Sequence, residues 1–422
     1  MAAIRNASAR PEGDANIVNE KSTGRNSLKQ RSSFETFSRL FTILVVVYPI
    51  FNRYQSVVPF LTISEFAFLL LFVVSVFRFR VFTMRVDWIA FVFAMYLLFD
   101  IALYAEMLSG STWAQGAGTA GRVALLYFLF AFMGKNFMDF DYGFRALIYV
   151  SVIVAVYGLV QTAASRIGVV LTTYIPGLPI MGVDNLDVAV RAKMDYGLTF
   201  RMQSVLNEPA ALCCYLILPI TILLNGEREI EHANAVAVFL SAVCVLSLSS
   251  TGIIVVIVLW GCYVGRRFVE RSIDARILLL GLMTAIVVFA LVVAFTDIWS
   301  YFVNRTFGKG LSGGTRFYAL DTALAASDTP LNVLFGILTA RSEDYLPGFA
   351  RAYYLYGLCG LVLITLVMLS IAKRGDKLSR WIVAVFVLLN VGTEIMLGNF
   401  AIYYLCFASS ETNRNICTEG QS

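Results

Sequence analysis

Two stretches of this sequence gather arginine, glycine and carboxylate in patterns that could handle negative charge. The first reads Arg201-Met-Gln-Ser-Val-Leu-Asn-Glu208-Pro209-Ala. Proline suits the first turn of a helix, so Asn207 or Glu208 becomes the cap. A carboxylate is then held beside the positive end of a helix. It either serves only as a cap or orients or deprotonates an incoming hydroxyl. The second stretch reads Ser312-Gly-Gly-Thr-Arg316-Phe-Tyr318-Ala-Leu-Asp. Thr315 can cap a short amphipathic helix reaching about Ser327, where Asp328-Thr329-Pro330 stops it. Phe317, Leu320 and Leu324 supply its expected apolar face. Arg316 falls in the first turn, where the helix dipole disfavours a cation unless an anion joins it. Glycine amides, the helix start and a guanidinium would together cradle phosphate oxygens. An ordinary loop-to-helix start would use the same residues.

More cations accompany these two. Arg166, Arg191, Lys193 and Arg201 lie in segment 165–208, and Arg305, Lys309, Arg316 and Arg341 in segment 297–349, with Arg351 just beyond. They suit either anionic lipid headgroups or a phosphate or diphosphate pocket, whose oxygens match the arginine fork. Arg122 enters an apolar run near its outer end, so it either snorkels outward or faces a polar cavity. Glu65, Asp87 and Glu394 sit near span edges or in an interrupted stretch, and no proton relay is built from them. The single histidine, His232, removes any site needing several imidazoles. Cys213, Cys214, Cys244, Cys262, Cys359 and Cys406 lie in apolar runs, leaving only Cys417 in a polar one. Neither a disulfide framework nor a metal is expected, and no cofactor.

The elements that position these residues are apolar. Hydrophobic residues make up 59% of the 422 and charged residues 14%, which excludes the soluble globular class. Apolar runs fall at 40–51, 63–77, 87–104, 120–134, 144–163, 209–224, 235–248, 252–265, 277–295, 350–372 and 381–407. They predict an all-α polytopic membrane protein with about eleven transmembrane helices (ten to twelve). The polar start, 1–38, reads as a disordered cytoplasmic tail without a cleavable signal. Residues 39–408 read as one transmembrane domain and 409–422 as a polar C-terminal tail. With the N-terminus inside, Arg78, Arg80, Arg85, Lys135, Arg145, Arg266, Arg267, Arg271, Arg276, Lys373, Arg374, Lys377 and Arg380 fall in inner loops, as the positive-inside rule requires. The loop 225–234 is mixed in charge. Segments 165–208 and 297–349 become two large periplasmic loops carrying short amphipathic helices. The last run, 381–407, is interrupted by Gly392, Glu394, Gly398 and Asn399; it is either one tilted helix or two short ones joined by a re-entrant bend.

Three stretches, in this order and with this sidedness, carry a family resemblance. They are Arg201…Val205-Leu-Asn-Glu-Pro-Ala entering a span, Leu248-Ser-Ser-Thr-Gly at a tight outer turn, and Gly314-Thr-Arg-Phe…Ala323-Leu…Pro330-Leu…Phe335-Gly. The chain resembles the bacterial O-antigen and exopolysaccharide polymerases (Wzy-like), grouped with the O-antigen ligases in one superfamily. The resemblance implies a metal-independent glycosyltransferase of the cell inner membrane. It would move a growing glycan between undecaprenyl-diphosphate-linked oligosaccharides at the periplasmic face. By motif, the functional arginines correspond to Arg201 and Arg316, with Arg305 a looser match, and Glu208 is the nearest base. Arg122, Arg191, Lys193, Arg305, Arg341 and Tyr318 are the substrate-binding candidates. The ligase branch has a histidine shortly before its Glu-Pro pair, and this chain has none, which favours polymerase over ligase.

Expected partners are the lipid-linked oligosaccharide, membrane lipids and a chain-length regulator that the N-terminal tail could bind; nothing suggests nucleic acid. Two other functions compete: an O-antigen-ligase-like transferase, and a secondary transporter or lipid-linked glycan flippase. Transporters place ionisable groups or broken helices near the midplane, whereas the polar chemistry here gathers in two outer segments.

Overall fold

A backbone in hydrocarbon has only itself to bond to, so long apolar runs become helices. The computed structural model describes residues 14–58, 60–105, 111–169, 171–181, 201–226, 232–270, 319–338, 346–398 and 400–410. These are mostly helical, and among them the only bridges between extended residues are Tyr54–Ile180 and Gln55–Thr62. The helices are α1 (Asp14–Phe51), α2 (Ile63–Phe79), α3 (Trp88–Ala105), α4 (Ser111–Leu129), α5 (Phe140–Arg166), α6 (Pro209–Asn225), α7 (Ala233–Leu246), α8 (Ser250–Val269), α9 (Ala319–Ala325), α10 (Pro330–Phe335), α11 (Gly348–Arg374), α12 (Lys377–Gly392) and α13 (Ala401–Ser410). Among the described residues, six stretches are long and apolar enough to cross a membrane: Ser32–Phe51, Trp88–Ala105, Gly116–Phe137, Phe140–Ser165, Ser250–Val269 and Gly348–Arg374. Large apolar side chains such as Phe77, Tyr149, Ile153 and Ile257 are more than 60% exposed on helix flanks. A surface of this kind fits contact with lipid.

Several expectations change in detail. The predicted run 277–295 lies outside the described residues. Where a disordered tail was expected over 1–38, α1 is helical from Asp14; extending a helix past its apolar part avoids a new nucleation step. Helix α4 begins at Ser111, before the apolar run at 120, because its first turns, Trp113 apart, are small or polar and leave no mark in hydropathy. The expected apolar face of Leu320 and Leu324 is present after Gly314 but does not meet the bundle. In α9 the buried residues are Ala319 and Ala323, packed near Ala350 and Tyr353, while Leu320 and Leu324 are 56% and 51% exposed. Small side chains let the short helix lie close on α11, which turns the leucines outward.

The last apolar run is two helices. Its α12 ends at Gly392, a non-helical link follows, and α13 is buried throughout. In α6 every residue but Ala210 is buried. Pro219 has no N–H to donate to the carbonyl of Tyr215, and Tyr403 Oη donates to that oxygen at 2.9 Å. Tyr404 Oη donates to the neighbouring Cys214 carbonyl at 2.7 Å, and the Tyr215 and Tyr403 rings stack. These two central helices set the axis of the bundle.

Charged clusters mark its two ends. At one, Asp87 receives Lys135 at 3.7 Å and Arg374 at 3.4 Å. The Asp87 amide also donates to Ala131 O, in the π-helical turn Phe130–Gly134 that continues α4. Helix α13 finishes at this same end, with Phe407 against Phe140. At the other end lie Arg53, Glu65, Arg122, Arg201, Glu208, Arg351 and Glu394.

Helix α11 is broken at Gly357, where φ is 60° and ψ is −166°. Segment 334–338 docks into that break: Ile337 N–H donates to Tyr354 O at 2.9 Å and Leu338 N–H to Leu355 O at 3.1 Å. Gly336, at φ 82°, approaches the backbone of Leu355 and Tyr356, and Gly357 approaches that of Leu334. Both glycines occupy a backbone region that side chains scarcely tolerate. Gly336→Ala and Gly357→Ala should therefore each cost about 1–3 kcal/mol, lowering the thermal midpoint in detergent. Gly118→Ala, whose added methyl meets open space, should leave the midpoint unchanged or raise it.

Candidate active site

The turn after α1 carries a residue that the sequence motifs did not single out. Arg53 is 7% exposed, and its Nη1 donates to Thr173 O at 2.8 Å and Val205 O at 3.3 Å. One guanidinium thus ties the α1–α2 turn to segment 171–181 and to the segment entering α6. Met181 N–H donates back to Arg53 O, and Gln55 N–H to Pro179 O. Burial pulls the Arg53 guanidinium below its ordinary pKa, partly offset by Tyr54, whose ring lies 5.7 Å from it. Arg53 Nε is buried without a hydrogen-bond partner.

Beside it, α2 opens with a capping box. Glu65 N–H donates to Thr62 Oγ1 at 3.3 Å and Thr62 N–H to Glu65 Oε2 at 2.8 Å, so Glu65 has a structural task. Arg122 is the twelfth residue of α4. Its Nη2 donates to Phe60 O at 2.8 Å and lies 3.1 Å from Met181 Sδ. Both arginines, with Asn52, Glu65, Asn207 and Gly398, line a cavity of about 420 Å³. Arg122 thus lines this cavity.

Glu208 occupies the cap position of α6 with extended backbone and Pro209 after it, yet its side chain makes no capping hydrogen bond. It lines a second cavity of about 250 Å³ with Cys214, Thr393, Glu394 and Phe400. The two cavities share Asn207 and Gly398 in their linings, so they adjoin one another as two arms of a cleft region. Glu394, set aside in the sequence, is in this second arm and is ion-paired with Arg351 from the first turn of α11. Only the bend after α12 brings it there. Asn390 Oδ1 accepts from Ile395 N–H at 3.1 Å and Met396 N–H at 2.8 Å, and Tyr127 Oη donates to Met396 O at 2.9 Å.

Arg201 takes a different place. Its Nη2 donates to Leu248 O at 3.0 Å, and Leu248 is held at φ 56° just before Ser249 caps α8. The linings of the two cavities do not include Arg201. It fixes the α7–α8 turn close to the start of α6. Arg191, Lys193, Arg305, Arg316, Tyr318 and Arg341 lie outside the described residues.

One cavity thus carries two arginines with the capping Glu65, and the adjoining one carries Glu208 and Glu394. Guanidinium forks suit phosphate oxygens, and a carboxylate can accept a proton from a hydroxyl. One ligand bearing both groups would use both cavities. A scan against protein-family models and a search of curated proteins found no match for the chain.

If Arg53 holds the cleft wall, Arg53→Met removes two carbonyl partners and should cost about 1–3 kcal/mol. Amide exchange at Gln55 and Met181 should quicken while Ile337 is unaffected. Unchanged exchange at Gln55 and Met181 would show that the wall is held by other contacts.

Proposed function

We propose that this protein polymerises undecaprenyl-diphosphate-linked oligosaccharide repeats, for an exopolysaccharide or O-antigen, at the outer face of the cell inner membrane. The observation that carries the reading is the pair of adjoining cavities, with Arg53 and Arg122 lining one and Glu208 and Glu394 lining the other. In this topology the N-terminus and the Asp87–Lys135–Arg374 end are cytoplasmic and the cleft is periplasmic. The protein crosses the membrane about eleven times, counting the shorter apolar helices and 277–295. A chain-length regulator is a natural partner for the N-terminal segment.

The chemistry is a glycosyl transfer without an added nucleotide. An acceptor hydroxyl oxygen on the next lipid-linked unit attacks C1 of the donor glycan. The C1–O bond to the diphosphate breaks, and undecaprenyl diphosphate leaves with the electron pair. Arginines of the cleft, joined by Arg316, stabilise the charge gathering on the leaving group. The proton from the acceptor goes to a carboxylate, for which Glu208 is the motif-matched residue. Arg201 acts indirectly, by holding the turn that abuts α6.

A second reading, a secondary transporter or lipid-linked glycan flippase, draws on one specific feature. Asp100 is buried within α3, and its neighbour α11 is broken at Gly357, an arrangement used by transporters. The two readings separate by where unpolymerised repeats collect in a deletion strain: the outer leaflet for a polymerase, the inner leaflet for a flippase.

Arg316→Ala and Arg122→Ala should each lower polymer formation by about 10²–10³, leaving single lipid-linked repeats. Arg316→Lys should rescue poorly, since an ammonium cannot bind two oxygens as a fork. Gel analysis of the extracted glycan reads both outcomes. Normal polymer from both alanine variants would remove the arginine mechanism.

A further inference from the structure

Asp100 is the thirteenth residue of α3 and is fully buried, and neither carboxyl oxygen has a hydrogen-bond partner. Tyr96 and Tyr104 stand one turn to either side of it on the same helix face. Each is engaged at the joint with α11. Tyr96 Oη donates to Tyr356 O at 2.7 Å, the carbonyl next to the break at Gly357. Tyr104 Oη donates to the carbonyl of Gly336, on the docked segment. The hydroxyl of Tyr356 is itself buried and without a partner. The titratable groups facing this place are Tyr96 and Tyr104 from α3 and Tyr356 and Cys359 from α11. Tyr127, Arg351 and Glu394 reach Tyr356 from farther out.

We propose that Asp100 is a proton-binding site whose ionisation releases segment 330–338 from the bundle. A neutral acid is tolerated among buried phenols, whereas a bare carboxylate there must find donors. The hydroxyls that interact with Asp100 belong to Tyr96, Tyr104 and Tyr356, and a carboxylate is a stronger acceptor than a backbone carbonyl. Ionisation therefore draws Tyr104 away from Gly336 O and loosens the segment held by Ile337 and Leu338. A proton needs no cavity, and Asp100 lines neither arm of the cleft, which favours a proton over a metal ion. The site is independent of the glycan chemistry, although the segment it controls leads directly to Arg341.

The test uses the purified full-length protein in lipid nanodiscs. A hydrophobic carbodiimide, which attacks protonated carboxyls, should modify Asp100 in mildly acidic buffer and lose that reaction in alkaline buffer, as read by peptide mass spectrometry. Amide exchange over 330–338, corrected for intrinsic rates, should rise in alkaline buffer in the natural protein. In Asp100→Asn, which is permanently neutral, it should remain slow in both buffers. Absence of carbodiimide modification on the natural chain, which requires no variant, would overturn the proposal. So would an alkaline rise in exchange that persists in Asp100→Asn. Protection of Asp100 by sodium chloride, but not choline chloride, at constant pH would assign the site to a metal cation and reject the proton.

Discussion

Backbone polarity within an apolar bundle governs this structure. Each helix interruption frees N–H and C=O groups that lipid cannot satisfy, and the protein answers each with a specific side chain. Pro219 leaves Tyr215 O to Tyr403. The break at Gly357 is bridged by Tyr96 and by the amides of Ile337 and Leu338. The bend after α12 rests on Asn390 and Tyr127. Tyrosine recurs because its ring packs as a hydrophobe while its hydroxyl donates. Both backbone breaks, at Gly357 and after Gly392, set α11 and α12 around the end that carries the cleft.

That concentration explains why charge can collect there. Regular helices leave no room for Glu394 beside Glu208; the bend supplies it, and Arg351 accompanies it from the start of α11. Arg53 is held by carbonyls from two other segments, so a buried cation has partners without a matching anion fixed on it. A guanidinium can do this because its five donors are spread over a plane, leaving Nε for other work. The far end uses charge differently. There Asp87 gathers Lys135 and Arg374, joining α3, the continuation of α4 and α11.

Helix positions were largely legible in the sequence, since long apolar runs specify helices in any arrangement. Their edges were less so: Ser111 to Thr119 is helical but, Trp113 apart, small or polar, and hydropathy passes over it. The last run remained open between one helix and two, because a bend in hydrocarbon depends on distant partners such as Tyr127. Glu208-Pro209 announced the start of α6. That Glu208 turns into a cavity and not onto its own helix follows from the bend that begins at Thr393, which no local pattern encodes. Arg53 carried no motif at all; its role comes from carbonyls about 120 and 150 residues away. Glu394 was passed over because an acidic residue in a broken run has many explanations. Leu320 and Leu324 misled in the opposite direction, as their spacing marks an apolar face without saying whether lipid or protein meets it.

The account turns on whether the arginine arm of the cleft holds a lipid-borne diphosphate. Native mass spectrometry of the purified protein with undecaprenyl diphosphate, against undecaprenyl monophosphate as competitor, asks this directly. The diphosphate should be retained preferentially, and the double change Arg53→Gln with Arg122→Gln should abolish that preference while the protein stays folded. Equal retention of both lipids, or a preference that survives the double change, would contradict it.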